Sequence, residues 1–163
     1  MTTKSYRVLS LTDKEYPNTS AALIYGLLSD PHVQLWEFST DGTAKLIEKP
    51  TMTTRQRRKL AIKSAGYVYD NLGFRAWAKS WLDLTNQTVA AARKIYNKIS
   101  IVSKHTDAVK SALFALKTAM TITPSVVEMN TGLAVLHAAK VNDDIDYFGI
   151  LGGILAEDLE RDK

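Results

Sequence analysis

Eleven lysines and arginines lie between residues 51 and 104, against only two acids, Asp70 and Asp83. They are Arg55, Arg57, Arg58, Lys59, Lys63, Arg75, Lys79, Arg93, Lys94, Lys98 and Lys104, a local excess of +9 in a chain whose net charge is +4. The stretches before and after carry −1 and −4. Cations gathered in one third of a chain suit the neutralisation of phosphates, where each contact releases counterions, or the docking of an acidic partner. Aromatic residues are interleaved with them: Tyr67, Phe74, Trp77, Trp81 and Tyr96. An exposed ring among cations can stack an unpaired base, as single-strand binders do. Phe74, Trp77 and Trp81 recur at helical core spacing and are expected inside, which leaves Tyr67 as the stacking group.

Other chemistry has weaker support. The chain has no cysteine, so disulfides, thiolate metal sites and Cys nucleophiles are excluded together. His32, His105 and His137 are far apart and form no H-x-x-x-H pair, and no G-x-S-x-G marks a nucleophile. Asp143, Asp144 and Asp146 are clustered acids, but acids in the first turn of a helix are favoured by its dipole. Leu72-Gly73 between two helical patterns admits a helix-turn-helix reading. The second helix, however, carries tryptophan where base-reading polar side chains belong. No metal or cofactor is expected, and an enzyme would need a site assembled from distant residues.

The elements that position the basic residues follow from periodicity. Tyr6–Leu11 reads as a short strand, and a helix is expected from Asn18 or Thr19 to Leu28, ended by Ser29-Asp30-Pro31. Val33–Phe38 and Ala44–Glu48 flank Asp41-Gly42, a pair suited to a hairpin turn. Pro50 closes this β-α-β-β module. From Thr53 onward the periods are helical. Thr53-Thr54-Arg55-Gln56 matches a capping box, and the helix after it groups Ala61, Ile62, Ala65, Val68, Tyr69 and Leu72 on one face. Arg55, Lys59 and Lys63 fall on the opposite face. Leu72-Gly73 is expected to break this helix. Further helices are expected over 74–84, 88–102 (burying Val89, Ala92, Ile95, Tyr96 and Ile99), 106–120 and 123–140. A last one, capped at Asn142-Asp143-Asp144, runs to about residue 158. It is apolar nearly all round, and Gly149, Gly152 and Gly153 are expected to admit a close neighbour, either the bundle core or another copy of the chain.

At 163 residues the chain is read as one domain over 1–163, with residues 1–50 a β-rich module and 51–163 a helical bundle. The fold class expected is α+β, predominantly helical, with the β-α-β-β module packed on about five helices. The N-terminus lacks the apolar stretch of a signal peptide, and the longest uncharged apolar run, Tyr147 to Ala156, is about half a membrane span. A cytoplasmic or other reducing compartment is therefore expected, with no membrane partner. No stretch carries a family signature. The function expected is a small non-enzymatic binder of RNA or single-stranded nucleic acid, with Arg55, Arg57, Arg58, Lys59, Lys63, Arg75, Lys79, Arg93, Lys94 and Lys98 on phosphates. The alternative is a protein-interaction or self-assembling module, its basic segment docked on an acidic partner or on a second copy.

Overall fold

Thr53 opens the helical part of the chain. Its hydroxyl accepts from the Gln56 backbone N–H at 3.2 Å, and the Gln56 side-chain oxygen accepts from the Thr53 N–H at 2.8 Å. This reciprocal cap satisfies two of the donors that a helix start leaves unpaired, and it launches α1, Thr54–Val68. The computed structural model describes residues 5–10, 33–38, 41–47, 51–102 and 104–161. Five more helices follow: α2 Leu72–Leu82, α3 Val89–Ser100, α4 Asp107–Met120, α5 Pro124–Val141 and α6 Tyr147–Arg161. Most starts carry a side-chain cap. Asn71 accepts from Phe74 N–H, Thr88 from Ala91 N–H and Thr106 from Val109 N–H. In α5 a proline occupies the first turn, where its missing N–H costs no hydrogen bond.

Helix α1 is the axis of the bundle. Its Ala61, Ile62 and Ala65 join Phe74, Trp77 and Trp81 of α2, Ala92 and Ile99 of α3, and Ala112, Leu113 and Leu116 of α4 in the larger core. Its Leu60 joins Val135 and Ala138 of α5 and Tyr147, Leu151 and Ile154 of α6 in a second. So α1 is covered on both sides. Alanines 61, 65, 112, 115, 119, 134 and 138 are all buried, and such small side chains let helix backbones approach closely. The packing within the bundle is helix on helix, most extensively α4 on α5 and α1 on α5.

The expected α+β domain, with a β-α-β-β module packed on about five helices, is not what the chain builds. Among the described residues the body of the fold is an all-helical bundle of six helices, and no β-α-β-β module forms part of it. Among the described residues both cores are built by the helices, with Met52 and Ile145 added from the segments before α1 and α6. The helix expected from Asn18 or Thr19 to Leu28 and the closing Pro50 lie outside the described residues. The strands among the described residues are β1 Ser5–Ser10, β2 Val33–Phe38 and β3 Ala44–Ile47, paired antiparallel in the order β1-β2-β3. Their register runs Ser5↔Phe38 to Ser10↔Val33 and Phe38↔Ala44 to Leu35↔Ile47. Gly42 takes φ +85 between β2 and β3, and Asp41 Oδ1 accepts from the Thr43 N–H at 2.9 Å.

Three local expectations also change. Leu72-Gly73 does not end α1: the helix stops at Val68 with Tyr69 as its C-cap, and Leu72 begins α2 because Asn71 caps it. The last helix is capped by Asp146, whose Oδ1 accepts from the Gly149 N–H at 2.9 Å, rather than by Asn142-Asp143-Asp144. Gly152 and Gly153 are exposed, and a Cβ built on either would meet nothing within 4 Å, so no close helix neighbour among the described residues explains them.

Candidate nucleic-acid interface

The cations of α1 are mostly engaged inside the molecule. Lys59 is 1% exposed, and its Nζ lies 3.2 Å from Glu157 Oε2 on α6. Lys63 Nζ reaches the other oxygen of the same carboxylate at 3.1 Å. Arg57 Nη1 lies 3.6 Å from Glu128 on α5. Arg58 donates from Nε to the Thr118 carbonyl at 2.9 Å and from Nη2 to the Thr121 carbonyl at 2.6 Å. Those carbonyls end α4, where a cation completes the unpaired acceptors and complements the helix dipole. Arg55 is partly buried, with Nε and Nη2 out of contact with solvent and without a hydrogen-bond partner among the described residues. The strip Arg55–Lys59–Lys63, expected to face solvent, is thus largely covered, because α6 lies on the side of α1 opposite the larger core.

Helix α2 keeps its cations exposed but paired. Arg75 Nη1 lies 3.2 Å from Asp70, and Lys79 bonds Asp83 one turn on. The burial of Phe74, Trp77 and Trp81 accords with their spacing, and Tyr67 is 63% exposed. Between α1 and α2 a groove of about 430 Å³ brings together Lys63, Tyr67, Arg75 and Lys79, with Asp83 on its wall. Four of the expected site residues do converge there, but each cation in the groove already faces a carboxylate.

Helix α3 is different. Arg93, Lys94 and Lys98 are exposed, and among the described residues none is held by a carboxylate or a hydrogen bond. Tyr96, expected inside, is only partly buried. It lines a cavity of about 390 Å³ with Ser100, His105, Lys110, Leu113, Phe114, Lys117 and His137. Lys117 Nζ sits 5.0 Å from the Phe114 ring centre and 6.0 Å from that of Tyr96, within cation–π range. The Phe114 and His137 rings lie parallel, 5.6 Å apart. His137 Nδ1 lies 2.7 Å from Asp107 Oδ1. A carboxylate only accepts, so Nδ1 carries the proton and Nε2 is the other ring nitrogen left for a partner. That hydrogen bond outweighs burial and holds the Asp107 carboxyl below its ordinary value.

Sequence reasoning missed this cavity. His105 and His137 look isolated along the chain, yet the fold sets both beside Lys110 and Lys117. One signal was present: Lys110, Phe114 and Lys117 stand four and three residues apart, which places them on one face of α4.

Among the described residues no helix is long and apolar enough to cross a membrane, and no three His, Asp or Glu side chains gather as metal ligands. Comparison with known protein families, curated proteins and solved structures gives no significant match.

Proposed function

We propose that this protein binds RNA or single-stranded nucleic acid without catalysis, through α3 and the adjoining face of α4. One observation carries the reading: Arg93, Lys94 and Lys98 stand exposed on one helix and, among the described residues, unengaged, with Arg93 one turn before the partly buried Tyr96. Free cations meet phosphates without first giving up an internal partner, whereas Lys59 or Arg58 would have to break one. The binding surface therefore centres on the last three of the ten cations expected from sequence, with Lys110 and Lys117 added. Anisotropy of a labelled single-stranded RNA across a salt series tests it. Affinity falls steeply with salt in the native protein. Salt-independent binding, or none, defeats the reading.

A second reading, docking of a protein partner or another copy, has one observation in its favour. Leu72 is 85% and Ile101 83% exposed. They adjoin Asn71, Gly73, Lys98 and Val102, which line a shallow recess at the end of α3. Sedimentation of nucleic-acid-free protein decides it. A concentration-dependent rise in mass abolished by Leu72→Ser and Ile101→Ser favours docking between copies.

A further inference from the structure

We infer that the cavity between α3, α4 and α5 is a site for a nucleotide 5′-phosphate, with Lys110, Lys117 and His137 around the phosphate and Tyr96 and Phe114 beside the base. The inference rests on the proposed nucleic-acid reading only for where the nucleotide comes from, since a free mononucleotide and the 5′ end of a strand share this chemistry.

The lining supports a small anion with an aromatic part. About 390 Å³ lies within the range of roughly 300–1,000 Å³ typical of small-molecule sites. The cavity wall holds two lysines and two histidines and no acid. Asp107, the nearby carboxylate, is already engaged by His137 at 2.7 Å. Lys110 is exposed and, among the described residues, makes no ion pair within contact distance, though its charge helps to lower Asp107, so its ammonium is available to an anion. Lys117 is held over two ring faces rather than by a carboxylate. A cation in that position meets a phosphate without losing a salt bridge, and charge-assisted bonds to phosphate oxygens are among the stronger hydrogen bonds. His105 bonds the Ser100 carbonyl through Nε2 at 3.1 Å, which fixes that ring at the rim. Apolar rings and cations in one recess match the two halves of a nucleotide, a flat base and a charged phosphate. The Tyr67 groove has a comparable ring but offers only cations already faced by carboxylates.

The test is calorimetric titration of the full chain with adenosine 5′-monophosphate and with adenosine. It is paired with anisotropy of one RNA sequence bearing either a 5′-phosphate or a 5′-hydroxyl. The monophosphate binds and adenosine does not, and the phosphorylated strand binds more tightly than its hydroxyl twin. Lys110→Gln with Lys117→Gln lowers monophosphate affinity about tenfold or more, while Arg75→Gln with Lys79→Gln, outside the cavity, leaves it unchanged. Circular dichroism melting confirms that both variants fold. Monophosphate binding without RNA binding keeps the site, identifies a free nucleotide as its ligand and defeats the nucleic-acid reading alone. Equal affinity for the two strands with no heat from the monophosphate overturns the site and leaves the nucleic-acid reading standing. No binding of either overturns both, and monophosphate binding that survives the double lysine variant overturns the assignment to this cavity.

Discussion

Glu157, in the last helix, closes on Lys59, the most deeply buried charge of α1, with Nζ and Oε2 3.2 Å apart. The same carboxylate takes Lys63 on its other oxygen at 3.1 Å. One half-exposed acid thus offsets two lysines, one of them in the interior, and fastens α6 to α1.

Removing that acid should cost more than removing the buried lysine. Glu157→Gln takes from the buried Lys59 ammonium the carboxylate it shares with Lys63. Breaking a fully buried pair costs roughly 3–5 kcal/mol. Here water screens the half-exposed carboxylate, so we expect about 1–2 kcal/mol. Lys59→Met fills the same space with an apolar chain and should cost less than Glu157→Gln, because a buried ion pair is often replaceable by apolar packing. In the double variant the penalty of Glu157→Gln should largely disappear. Urea unfolding followed by the fluorescence of buried Trp77 and Trp81 measures all three, and additive costs would refute the pairing.

The same carboxylate shapes the acid limb of stability. Burial pushes the Glu157 carboxyl up, but the hydrogen bonds from Lys63 and Lys59 outweigh it and hold the group below the ordinary 4.5. A carboxyl lowered in the folded state contributes stability above its unfolded value and loses it as pH falls through the folded one. Asp107, lowered from 3.8 by its bond to His137, acts in the same direction. Melting temperature should therefore fall below about pH 4.5, and Glu157→Gln should flatten that fall. An unchanged acid limb would show that Glu157 is not coupled to folding.

How much of this was legible in the sequence depends on the range of the signal. Capping is local, so Thr53 with Gln56 marked the start of α1 and the structure bears it out. The spacing of Phe74, Trp77 and Trp81 likewise gave the buried face of α2. The basic face of α1 was misjudged for a physical reason. A helical wheel shows which face is apolar but not how many neighbours the helix has, and α1 has them on both sides. A charge on its polar face is buried when another element brings a counter-charge, and the counter-charge here, Glu157, is 98 residues from Lys59. The His105–His137 cavity escaped for the same reason, because its walls meet only through the packing of α3, α4 and α5.

Leu84 offers a test of backbone strain. It follows α2 with φ +62, a left-handed conformation that an L side chain adopts at a cost of about 1–2 kcal/mol. The Leu84 and Thr85 N–H groups bond back to the Trp81 and Ser80 carbonyls, so the turn that ends α2 requires this backbone. Glycine takes the conformation freely but adds entropy to the unfolded chain. With the Leu84 side chain only partly covered, Leu84→Gly should stabilise by about 0.5 kcal/mol. A loss above about 1 kcal/mol in thermal or urea unfolding would mean that side-chain packing outweighs the strain.

The proposed interface separates engaged from free cations, and that distinction yields the sharpest prediction. Arg93→Gln, Lys94→Gln and Lys98→Gln together remove three charges that bond nothing within the described residues, so stability should change by less than about 0.5 kcal/mol. Each lost phosphate contact should lower the slope of log affinity against log salt by about one, so the triple variant should lose up to about three units and bind RNA far more weakly. Arg75→Gln with Lys79→Gln should act differently. Those cations are paired with Asp70 and Asp83, so losing them should barely alter either affinity or slope. Anisotropy titrations at four salt concentrations distinguish the cases. If the α2 pair weakens RNA binding as much as the α3 triple, the strand runs over the Tyr67 groove and the proposed surface is wrong. If neither variant alters it, phosphate neutralisation by this basic segment is not how the chain binds.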